Sequence, residues 1–73
     1  MKILCRNNKE VRVALAQLEK HGYRWQSGHR PTKLYHDYDD MVIVIHENSK
    51  RITMGASQYD AVRASELYKN LLR

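Results

Sequence analysis

The side chains whose types and spacing could do chemistry fall in two stretches of this 73-residue chain: Arg24, Trp25, His29, Arg30, Lys33 and Tyr35 in one, Lys50 and Arg51 in the other. Cations interleaved with aromatic rings suit a single-stranded nucleic acid or a nucleotide, because bases stack on rings while phosphates meet the charges. A plainer reading puts Trp25 into a core and leaves the cations as a solvated rim. The histidines are His21, His29, His36 and His46, and His36 stands beside Asp37, Asp39 and Asp40 in HDYDD. That set offers nitrogen and oxygen donors, but without HExxH or EF-hand spacing it reads as an acidic surface loop, and no metal is expected. Cys5, in a short apolar run, reads as a buried thiol rather than a nucleophile. Gly28 and Gly55 form no phosphate-cradling loop, which excludes P-loop and dinucleotide chemistry, and no cofactor is expected.

Positioning these residues requires a sheet and two helices. Lys2 to Arg6 reads as a first strand with Ile3 and Cys5 on one side and Leu4 on the other. Asn7 or Asn8 caps a helix, with Glu10 three residues after Asn7 closing a capping box, and Val11, Ala14, Leu15 and Leu18 recur at helical spacing. Gly22 ends that helix, since glycine takes a left-handed cap without a Cβ clash. Tyr23 to Gln26 then alternates aromatic with polar, as a strand does, until Ser27, Gly28 and Pro31 turn the chain. Pro31 to Asp40 reads as a loop with at most a short extended piece at Leu34 and Tyr35. Met41 to His46 is a continuous apolar run and therefore a central strand, and after a loop at Glu47 to Lys50 the chain returns along Arg51 to Ala56. Ser57 and Asp60 repeat the capping signature, which predicts a second helix over residues 58–72, with Ala61, Ala64, Leu67, Tyr68 and Leu71 as its apolar stripe. The order β-α-β-(β)-β-β-α predicts an α+β two-layer sandwich: a small, mostly antiparallel sheet with two helices, in one domain over residues 1–73.

The stretch Gly22-Tyr23 after a helix, then Arg24-Trp25-Gln26-Ser27-Gly28, then Pro31, and downstream Lys50-Arg51-Ile52-Thr53, resembles small proteins encoded by phages and prophages of low-GC Gram-positive bacteria. The likeness covers roughly residues 3 to 55. It implies a phage accessory protein in the bacterial cytoplasm, of the class that supplies inhibitors of host defence and host takeover factors. No catalytic residues accompany the pattern. Ser27-Gly28-His29 after Gly22-Tyr23 is also similar to the turn of HicA-type RNA-cleaving toxins, which would make His29 a general acid or base. The order there is Gly-Ser-His, an extra strand precedes the helix here, and no second histidine motif follows.

Thirteen Lys and Arg against eight Asp and Glu give a formal charge of +5, which favours anionic partners yet is ordinary for a small domain. One cysteine excludes an internal disulfide and fits a reducing cytosol, and no apolar run reaches the ~18 residues of a membrane span. A chain this short has a thin stability margin, so a homodimer is expected. The decisive expectation concerns the central strand. Val42 and Val44 cannot share a side with Ile43 and Ile45, and two helices on one layer would leave one pair bare, with Tyr23 and Trp25, or Tyr35, contributing to it. The leading reading is therefore binding rather than catalysis, with inhibition of a host protein through that bare surface. The alternative is a nucleic-acid or nucleotide-binding module using the basic and aromatic residues, and a HicA-like RNase is the minor one.

Overall fold

The computed structural model describes residues 1–34 and 40–72. The chain runs β1 (Lys2–Cys5), α1 (Asn8–Lys20), β2 (Arg24–Trp25), a 3-10 helix (Pro31–Leu34), β3 (Met41–His46), β4 (Arg51–Gly55), β5 (Ala61–Arg63) and α2 (Ala64–Leu67). This is an α+β fold with one five-stranded sheet in the order β2-β4-β3-β1-β5. The longer ladders, β1 with β3 and β3 with β4, are antiparallel, and the short edge ladders, β5 on β1 and β2 on β4, are parallel.

Local chemistry explains both ends of α1. Asn7 Oδ1 accepts the Glu10 N–H at 3.0 Å, while the Glu10 carboxylate accepts the Arg6 N–H at 3.1 Å and the Asn7 side-chain amide at 3.2 Å. Donors that the first helical turn would leave orphaned are thereby satisfied. At the other end Gly22 takes φ +84, the Tyr23 N–H reaches Leu18 O at 2.9 Å and the Gly22 N–H reaches Glu19 O at 3.1 Å. Those two bonds make a Schellman ending, and the aromatic that follows the glycine packs on the core.

Ile3, Cys5, Met41, Ile43, Ile45 and Ile52 on one face of the sheet join Val11, Ala14, Leu15 and Leu18 of α1 and Ala64 of α2 in a single buried cluster. Both helices therefore lie on that face. Tyr23 and Trp25 pack against the same cluster, which corrects the expectation that they border a bare surface. The reason is register: Trp25 pairs with Ile52, so the two point the same way.

Three further expectations are corrected. Pro31–Leu34 is a 3-10 helix where a loop was expected, and Leu34 belongs to it rather than to an extended piece: Pro31 is buried and Trp25 Nε1 donates to its carbonyl at 3.1 Å. Tyr35 and the HDYDD residues 36–39 lie outside the described residues. Strand β2 keeps only Arg24 and Trp25, because the Gly28 N–H turns back to Trp25 O at 2.7 Å. Most importantly, the single helix over 58–72 is replaced by β5 and a four-residue α2. Ser57 Oγ accepts the Tyr59 N–H at 3.2 Å, closing a turn, and Asp60 sits at φ +60. A left-handed residue ends any helix starting at Ser57, and Ala61–Arg63 gains a ladder on β1 instead.

Candidate functional site

The face of the sheet opposite the helices is where cations and register coincide. Arg24 of β2 pairs with Arg51 of β4, and Arg51 pairs with His46 of β3, so these three side chains form one row across neighbouring strands. One step along, Thr53, Val44, Lys2 and Ala61 make a second row across β4, β3, β1 and β5. Side chains directly opposite across the antiparallel β4–β3 and β3–β1 ladders stand about 4.5–5.5 Å apart at Cβ. His46 Nε2 and Thr53 Oγ1 are hydrogen-bonded at 3.1 Å, tying the two rows together. Arg24 and His46 are exposed, and Arg51, Thr53, Val44 and Lys2 are half-buried.

A third row, Gly55, Val42, Leu4 and Arg63, is closed to solvent at Val42 and Leu4. Val42 is only 3% exposed, and Ile43 and Ile45 are buried under α1. The expectation that one pair of the central strand stands bare is thus corrected: Val44 alone is partly open. Gly55 lets the valines settle against the sheet, since a Cβ at that position would meet Val44 Cγ2 at 2.8 Å and Val42 Cγ1 at 3.1 Å. What remains accessible on this face is mainly polar and cationic, with Val44 and Ala61 partly open among it.

Charge is partitioned between elements in a way that residue counts conceal. The five strands carry Lys2, Arg24, His46, Arg51 and Arg63 and not one Asp or Glu; among the described residues the carboxylates sit in α1, α2 and the connections. Arg63 lies 3.9 Å from the Glu10 carboxylate. Among the described residues no carboxylate pairs with Arg24, Arg51 or Lys2.

The sequence-predicted cluster splits on this geometry. Arg24 and Arg51 belong to the open face, whereas Trp25 is turned to the core. Arg30 donates to Glu19 Oε1 at 2.6 Å, and the same carboxylate accepts the Thr32 N–H at 3.2 Å and the Thr32 hydroxyl. Those bonds hold the Glu19 carboxyl down at about 2, with the Arg30 hydrogen bond the largest cause and the Thr32 hydroxyl next. Arg30 is accordingly neutralised beside α1, and Lys33 belongs to the 3-10 helix that packs on α1. His29 Nδ1 lies 2.9 Å from Ser27 Oγ, and the Lys50 ammonium sits 4.7 Å over the Tyr23 ring. Tyr35 lies outside the described residues.

Two contributors escaped the sequence reading, His46 and Lys2. Both stand in strands recognisable by their apolar runs, but only pairing register sets them beside Arg51 and Val44. Cys5 is fully buried, and burial first, then the Glu10 charge, pushes its thiol up to about 12, so no nucleophile is available there. No helix among the described residues is long and apolar enough to cross a membrane. Set beside known proteins, the chain matches no family model, no curated protein and no solved structure.

Proposed function

We propose that the protein is a binding module for nucleic acid, which lays its phosphate backbone across the open sheet face on Arg24, Arg51, His46 and Lys2. The observation that carries this reading is that Arg24 and Arg51 stand side by side on adjacent strands, with Lys2 one row along, that none of them pairs with a carboxylate among the described residues, and that the strands themselves hold no Asp or Glu. Such cations attract a polyanion and release its counterions on binding, which makes affinity fall with salt. Inhibition of a host protein through an apolar sheet face would have only Val44 of the expected pair to work with, because Val42 is buried.

Titrating a labelled oligonucleotide by fluorescence polarisation over a range of salt tests the reading. Arg24→Ala and Arg51→Ala should each weaken binding and lower the log–log salt slope by about 0.7–0.9 per lost phosphate contact. Arg30→Ala should leave the slope unchanged, because its charge is already met by Glu19. Full affinity and slope in the Arg24→Ala/Arg51→Ala double variant would remove the proposal.

A second reading, contact with a protein as a phage accessory factor or as a homodimer, is favoured by exposed apolar side chains in the C-terminal part of the chain, Val62 on edge strand β5 and Leu67 and Leu71 after it in sequence. Sedimentation of the wild type against Leu67→Glu/Leu71→Glu tests it: a monomer in both cases counts against the homodimer.

A further inference from the structure

Tyr59 is the most exposed large apolar side chain among those described, at 76%. It stands in the loop between β4 and β5, which the Ser57 hydroxyl and the left-handed Asp60 fold into a turn. The Lys2 ammonium donates to the Tyr59 carbonyl at 3.3 Å. Lys2 belongs to the open face by its pairing with Val44, so that bond moors the loop at the β1 side of the cationic rows, across the sheet from Arg24. Three strand spacings separate β2 from β1, about 14 Å, which matches about four nucleotides at a stacked rise of about 3.4 Å.

We infer that the nucleic acid taken by this face is single-stranded, its backbone crossing the strands from Arg24 to Lys2 and one of its bases stacking on the Tyr59 ring. The inference rests on the nucleic-acid reading and narrows it. A duplex groove admits a helix or a two-stranded ribbon, whereas a five-stranded sheet meets only phosphate ridges, and its bases are already stacked on one another. A single strand offers free π-faces, and a ring beside a cationic track is the combination that single-strand binders use. Thr53 and His46 add hydrogen-bonding groups to the same track without adding negative charge.

The experiment compares oligothymidylate of about eight nucleotides with a duplex of equal phosphate count, using wild type, Tyr59→Ala and Tyr59→Phe. Wild type should prefer the single strand. Tyr59→Ala should weaken oligothymidylate binding about 5- to 150-fold, the loss of one base–aromatic stack, while duplex binding and the salt slope stay unchanged. Tyr59→Phe should keep the wild-type affinity, because the ring rather than the hydroxyl is used. Duplex bound as tightly as single strand, with Tyr59→Ala silent, would overturn the single-strand inference and leave the cationic face standing. Absence of salt-dependent binding to either probe would overturn both.

Discussion

Glu19 shows what a single carboxylate does when three donors converge on it. It fastens the segment from Arg30 to Thr32 onto α1, and so helps carry the chain from the end of β2 into the 3-10 helix. Its folded pKa is lowered, from 4.5 to about 2, so the stability it contributes is present above the unfolded value and is lost as pH falls through that interval. We expect the melting temperature of the wild type, followed by Trp25 fluorescence, to drop between about pH 5 and pH 2, and Glu19→Gln to start lower but with a flatter acid limb. Equal acid slopes in the two proteins would contradict that assignment. The same residue distinguishes Arg30 from Arg24, its chemical equal: the Arg30 guanidinium is paired with the Glu19 carboxylate. Nothing in the type of either arginine separates them, and only the neighbours do.

Among the elements, β4 depends most on one position. Gly55 has ordinary backbone angles, and its requirement is space, since Val44 Cγ2 and Val42 Cγ1 occupy the place a side chain would need. Gly55→Ala should therefore destabilise the fold by about 1–3 kcal/mol, the range for overpacking, measured by urea unfolding. A neutral or stabilising result would mean the valines can rotate away. The cap of α1 was legible beforehand because Asn7 and Glu10 act within one turn of chain. Residues 58–72 were not legible in the same way. Their capping signature and apolar spacing describe a helix that could form locally, but the edge of β1 offered Ala61–Arg63 a ladder, and tertiary pairing overrode the local preference.

At the scale of the whole molecule, the helix layer and the open face divide the work: one side seals Ile3, Ile43, Ile45 and Ile52, the other presents cations. Val42 and Val44 share the open face yet differ in burial, and that difference can be read directly. Val42→Asp should unfold the protein, because a charge without a partner would enter a closed site. Val44→Lys should keep the far-UV circular dichroism of the wild type and tighten oligonucleotide binding, since it adds a cation between His46 and Lys2 in the accessible rows. Loss of fold in Val44→Lys would show the face to be more closed than its half-buried position implies.

The chain alone determined what depends on neighbours a few residues away: the α+β class, the cap at Asn7, the stop at Gly22, the β3–β4 hairpin and the candidacy of Arg24 and Arg51. Hydrophobic period, capping geometry and turn chemistry all act within such a span, so they can be read in order along the sequence. Tertiary structure alone decided which polar and cationic side chains share a surface. Strand order and register placed His46 and Lys2 with Arg24 and Arg51 and removed Arg30 to Glu19, because cross-strand pairing joins residues distant in the chain and no local pattern encodes their register.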